Sequence, residues 1–163
     1  MTILYLHGLE SKLSDVKRAV LEEFATVIAP DMDYKSNSEM FNYLLETYKN
    51  DSIDCIIGSS MGGFMGYHIA MTLGCPALLF NPALPIRSLN QVVPQNVIPK
   101  QKQRFSIVLG SQDETVPAIL NLKYFSENLL STVHFDIKIR PDLAHQIPLN
   151  VFTEECSAFL RSL

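Results

Sequence analysis

The chain has 163 residues, of which 47% are hydrophobic, and a formal net charge of −4. This length suits one domain spanning residues 1–163, with apolar content enough for a packed core. The acidic balance argues against a nucleic-acid binder: the nearest basic group, Lys100, Lys102 and Arg104, is short, lacks interleaved aromatics and reads as a solvated loop.

Cys55, Cys75 and Cys156 are scattered and odd in number, and with the four histidines they share no metal-ligand spacing. Cys55 and Cys156 sit in apolar patterns and are expected to be reduced core residues. No metal or cofactor is expected. The first apolar run is too short for a signal peptide and has no basic start. No segment approaches the length of a membrane span. A soluble, cytoplasmic protein is the expectation.

In chain order, a strand over 3–6 ends in His7-Gly8-Leu9. A helix over 15–24 follows, with Ser14 as its N-cap and Leu13, Val16, Val20, Leu21 and Phe24 as its buried face. After a strand over 26–29, the spacing of Met40, Phe41, Leu44, Leu45 and Tyr48 predicts a helix over 38–48 capped by Ser38. The run 53–57 reads as a strand buried on both faces, and 61–73 as an apolar helix stopped by Gly74 and Pro76. A strand over 77–80 leads into Asn81 and Pro82. Residues 81–104 hold four prolines and little periodicity, so a crossover with a short helix near 86–93, or a small cap over 82–104, is expected. Strand 105–109, helix 117–129, an alternating edge strand over 133–139 and helix 149–163 complete the series.

Strands alternating with helices imply an α/β fold: a three-layer α/β/α sandwich around a mainly parallel sheet of roughly six strands. Ligands then bind beyond the carboxyl ends of the strands. Between the third strand and its helix stands Gly58-Ser59-Ser60-Met61-Gly62, a G-x-S-x-G pattern. A serine at the apex of a tight strand-to-helix turn presents its hydroxyl to solvent, and glycines two residues before and after prevent collision across the turn. Ser60 is therefore the candidate nucleophile.

Serine needs a base to take its proton, and the base needs a third group to hold its tautomer. In this kind of fold the order is Ser, acid, His. Asp113, past the strand at 105–109 in Gly-x-x-Asp-x-x-Val-Pro, is the candidate acid, with Glu114 its rival; His145, between the last strand and last helix, is the candidate base. Asp142 is close in sequence to His145 and is not favoured as the acid. His68 reads as structural and His134 as an exposed strand residue. The backbone N–H groups of Leu9 and Met61 are candidate oxyanion donors, with Gly8 allowing close approach and His7 bracing the loop. The substrate pocket is expected to involve His7, Gly8, Asn81, Leu84, Ile86 and Ile147, with Leu9 and Met61. Glu10 would repel anionic substrates if it pointed inward.

The strand ending in His-Gly, the Gly-x-Ser-x-Gly-Gly turn, Leu78-Leu79-Phe80-Asn81-Pro82-Ala83, and then Asp and His resemble the α/β-hydrolases. The small size and the position of the first strand resemble the compact YqiA-like bacterial esterases. That resemblance implies esterase or thioesterase activity on a small-molecule acyl substrate, with Ser60, Asp113 and His145 as the triad. Activity is expected to rise with pH as His145 loses its proton. The alternatives are a non-catalytic binding protein of the same fold, or an acyltransferase using the same residues.

Overall fold

The computed structural model describes residues 1–95, 97–99 and 101–163; Lys100 of the short basic group lies outside them. The elements run β1 (Thr2–Leu6), α1 (Asp15–Glu22), β2 (Thr26–Ile28), α2 (Met40–Thr47), β3 (Cys55–Ser59), α3 (Met61–Leu73), β4 (Ala77–Phe80), β5 (Gln103–Gly110), α4 (Ala118–Glu127), β6 (Val133–Arg140) and α5 (Leu149–Leu160). The six strands form one sheet in the order β2-β1-β3-β4-β5-β6, and every pairing is parallel. The fold is α/β, as the alternation of elements predicts.

The pleat sends alternate side chains to opposite faces. Leu4, Leu6, Ile56 and Phe105 pack beneath α2, α3 and α4, with Met40, Phe41, Leu44, Phe64 and Phe125. Ile3, Tyr5, Ile57, Leu78 and Phe80 pack on the other face, against Leu21 of α1 and Val151, Phe152, Cys156 and Phe159 of α5. Both faces of β1, β3 and β4 are covered, which is why these strands read as unbroken apolar runs. At the edge, β6 alternates: Val133, Phe135 and Ile137 pack against the core, whereas His134, Asp136 and Lys138 are exposed. All three cysteines are free and buried, and burial pushes the Cys55 and Cys75 thiols up to about 12.

Several local expectations are corrected. Val16 is 58% exposed. It lies at the margin of the stripe formed by Leu13, Val20, Leu21 and Phe24, and Lys17 falls within that stripe. Ser14 does occupy the cap position of α1, without a side-chain cap bond. Glu39, not Ser38, occupies the cap position of α2, and the Ser38 carbonyl accepts from the Val92 N–H instead. No helix forms over 86–93. There the Gln91 amide donates to the carbonyls of Tyr34 and Asn37, so the segment is tied across to the β2–α2 connection rather than bonded to itself.

After β2 pairs on one side of β1, the chain crosses to place β3 on the other. This reversal opens a crevice at the carboxyl ends of β1 and β3. The loop after β1 and the turn bearing Ser60 meet there.

Candidate active site

Ser60 links β3 to α3 with φ 53° and ψ −118°, a conformation that is strained for a residue with a side chain. The glycines around it are required by close approach. A Cβ on Gly58 would come within 2.4 Å of the Gly62 carbonyl oxygen, and one on Gly62 within 2.0 Å of the Leu6 oxygen. The Ser60 carbonyl accepts from the N–H groups of Phe64 and Ala83, so the turn is held from both sides.

His145 Nε2 lies 3.0 Å from Ser60 Oγ, and its Nδ1 lies 2.7 Å from Asp113 Oδ2. An ionised carboxylate only accepts, so Nδ1 carries the ring proton and Nε2 is left to accept from the serine hydroxyl. The other Asp113 oxygen accepts from the N–H groups of Thr115 and Val116, each at 2.8 Å, and the carboxylate is fully buried. Glu114 is exposed, and Asp142 is exposed and paired with Arg140, which holds its carboxyl below the usual range. Neither competes for His145.

Asn81 ties these loops together. It is 1% exposed and adopts φ 42° at the end of β4. Its amide donates to the carbonyls of Ala144 and His145, and its Oδ1 accepts from the Gly110 N–H. The loop carrying the acid and the loop carrying the histidine are thus fastened to the same side chain. The Gln112 N–H also donates to the Leu143 carbonyl.

Gly8 lies against the serine, where an added Cβ would sit 3.3 Å from Ser60 Cβ. Met61 opens α3, so its N–H has no partner within the helix and stands at the positive end of the helix dipole. His7 is spent on the backbone: Nε2 accepts from the Met32 N–H at 2.8 Å, which leaves Nδ1 to donate to the Gly8 carbonyl at 2.7 Å. Glu10 turns away to pair with Lys35.

A cleft of about 710 Å³ opens over Ser60 and His145. Gly8, Leu9, Met61, Ile86 and Ile147 line it. The other three residues expected on its wall lie elsewhere. His7 faces a neighbouring cleft beside Glu10 and Lys35, Asn81 is enclosed by the carbonyls it serves, and Leu84 is buried in the core. Sequence reasoning missed Tyr5, Lys17, Arg87 and Val116, which also line the cleft. Lys17 had a signal, its place on the buried stripe of α1; Arg87, in an aperiodic segment, had none. Burial pushes the Tyr5 phenol up to about 12, so it stands in the cleft as a neutral hydroxyl.

Among the described residues no cluster of three His, Cys, Asp or Glu is placed to hold a metal ion, and no helix is long and apolar enough to cross a membrane.

The fold is similar to several solved structures at low identity. A single-substitution variant of SOBER1 from Arabidopsis thaliana matches with a TM-score of 0.73 and 16% identity, covering 99% of this chain and 98% of that one. Est1E from Butyrivibrio proteoclasticus matches with a TM-score of 0.68 and 16% identity, over 99% and 87%. FphF, a fluorophosphonate-binding serine hydrolase of Staphylococcus aureus, matches with a TM-score of 0.63 and 20% identity, over 99% and 81%. Residues 2–115, from β1 through Ser60 and Asp113, match the model of an uncharacterised protein family, UPF0227, and with its α/β-hydrolase fold the chain belongs to that family.

Proposed function

We propose that this protein is a serine hydrolase that cleaves carboxylic esters or thioesters through an acyl-enzyme on Ser60. The observation that carries this reading is the unbroken line from Ser60 Oγ through the His145 ring to the buried Asp113 carboxylate, set at the apex of a strained turn. Ser60 Oγ attacks the acyl carbon while His145 Nε2 takes its proton. The tetrahedral oxyanion is held by the N–H groups of Leu9 and Met61. His145 then returns the proton to the leaving alcohol or thiol. Water, deprotonated by the same nitrogen, releases the acid and restores the serine. Asp113 stabilises the imidazolium in each step. Apolar side chains of Leu9, Met61, Ile86, Val116 and Ile147 suit an acyl chain, and segment 82–104 supplies part of the wall through Ile86 and Arg87.

FphF, similar in fold, is a fluorophosphonate-binding serine hydrolase, which supports a fluorophosphonate probe as the first test. The native protein is expected to label covalently. Ser60→Ala abolishes the label and His145→Ala slows it by at least about 100-fold, the usual worth of a positioned base. A folded native protein that takes no label overturns the reading.

A further inference from the structure

The charges lining three clefts set one of them apart. On the face covered by α5, a cleft of about 200 Å³ contains Arg104, Asp136, Lys138 and Glu155. Its cations are matched: Arg104 meets Asp136 at 3.5 Å, and Lys138 meets Glu155 at 2.6 Å. The cleft beside His7 contains Lys12, Lys35, Glu10 and Asp31, and these also pair, Lys12 with Asp31 and Lys35 with Glu10. The cleft over Ser60 differs. Lys12, Lys17 and Arg87 line it, and no Asp or Glu does. Lys12 is shared with Asp31, but no described carboxylate pairs with Lys17 or Arg87.

Both unmatched cations are held in place by neutral groups. Lys17 Nζ donates to the Ile147 carbonyl at 2.7 Å and sits 5.1 Å from the centre of the Phe152 ring. The Arg87 guanidinium lies over the Phe64 ring at 4.1 Å and donates from Nη1 to the Leu84 carbonyl at 3.2 Å, while its Nε is buried without a partner. Burial lowers both side chains from their ordinary values, which registers the cost of a charge with no counterion. In a chain of net charge −4, two partly desolvated cations without a carboxylate give this cleft a local positive potential that favours an anion. Arginine matches the paired oxygens of a carboxylate or phosphate, and lysine adds a point charge. Glu10, on the loop after β1, is turned away and occupied by Lys35.

We propose that Lys17 and Arg87 make this cleft selective for acyl esters or thioesters that carry a second, anionic group, a carboxylate or a phosphate, away from the scissile carbonyl. This rests on the hydrolase reading of Ser60. The anion takes no part in the chemistry; it anchors the substrate while water cleaves the acyl bond to give an acid and an alcohol or thiol.

The test compares aryl monoesters of straight-chain dicarboxylic acids with their methyl-capped, uncharged counterparts of equal length. A second arm uses neutral and phosphate-bearing alcohol esters of one acyl group, to tell carboxylate from phosphate. The expected result is a kcat/KM ratio, anionic over neutral, above about 10 in at least one arm. The ratio should fall about tenfold in Lys17→Gln and in Arg87→Gln, fall with added salt, and stay the same in Lys123→Gln, an exposed cation that does not line the cleft. Turnover of neutral esters with a ratio near or below 1 in both arms overturns the anion proposal and leaves the hydrolase intact. If the protein neither labels with fluorophosphonate nor cleaves any ester, the hydrolase reading fails. Calorimetry with the uncleaved monoesters then decides alone: salt-sensitive binding lost in Lys17→Gln supports the anion site, and no binding overturns it. Should Arg87→Gln fail to fold, the Lys17→Gln ratio and the salt dependence decide.

Discussion

Asn81 is the residue whose role is least apparent from its neighbours in the chain. Its side chain makes three hydrogen bonds, to the end of β5 and to the loop bearing His145, and it is enclosed on all sides. Asn81→Ala should leave the Gly110 N–H and two carbonyls without partners, costing about 1–3 kcal/mol of stability. Because one of those carbonyls belongs to His145, ester turnover should also fall, by about tenfold or more, with fluorophosphonate labelling slowed in parallel. Urea titration and labelling kinetics on the same preparation check both. A loss of stability with unchanged labelling would mean that the clamp does not position the base. Asn81 was expected on the pocket wall because it follows a strand end, where ligands bind. That rule gives an address but not an orientation, and at φ 42° the side chain turns inward. His7, also expected on the wall, lies off it, while the bracing role read from the sequence holds. Both its nitrogens are taken by backbone.

Helix α3 shows what an element adds. It is apolar all round because it lies between the sheet, α2 and α4, and His68 is carried into that environment with it. The His68 ring meets Phe64 and Tyr67 edge-on, and burial, with a smaller push from the Arg87 charge, lowers its pKa to about 4. Between the ordinary value of 6.5 and about 4, the unfolded chain binds a proton that the native chain does not. Stability from the neutral ring is complete above 6.5 and is lost as pH falls toward 4, at up to about 1.4 kcal/mol per pH unit. Denaturation midpoints at pH 7 and pH 5 should separate widely in the native protein and less in His68→Gln. Equal separations would remove His68 as a source of acid sensitivity. The interior elements were legible in the sequence because burial on both sides writes long apolar runs: α3 and β4 have the expected bounds, and β5 is longer by two residues at its start and one at its end. Segment 86–93 was not legible, since its partners are the Tyr34, Asn37 and Ser38 carbonyls, some 50 residues away, and no local period encodes them.

At the scale of the molecule, the site is assembled from parts distant in the chain. The Gly8 loop, the Ser60 turn and the loops bearing Asp113 and His145 converge only because parallel strands bring all their carboxyl ends to one edge. This much could be read in advance, since the order Ser, acid, His and the placement of each after an apolar run follow from topology. The charge of the cleft could not. It depends on Arg87, from a crossover without periodicity, as well as on Lys17, whose place on the buried stripe of α1 was its one signal. The selectivity for anionic esters inferred above is therefore a property of the tertiary structure alone, and the ratio of kcat/KM values is its measure.

The backbone of Ser60 carries one further consequence. A turn held at positive φ by its surroundings is a loaded spring, and the load is borne by the whole fold at all times, whether or not substrate is present. Glycine relaxes in that geometry, and alanine does not. Ser60→Gly should therefore raise the unfolding free energy by about 0.5–2 kcal/mol, the relief of strain less the extra freedom glycine gives the unfolded chain. Ser60→Ala, which also lacks the hydroxyl, should gain far less. Thermal unfolding of the pair would show how much durability this chain gives up to keep a hydroxyl in place, and so how much an engineer could recover by replacing Ser60.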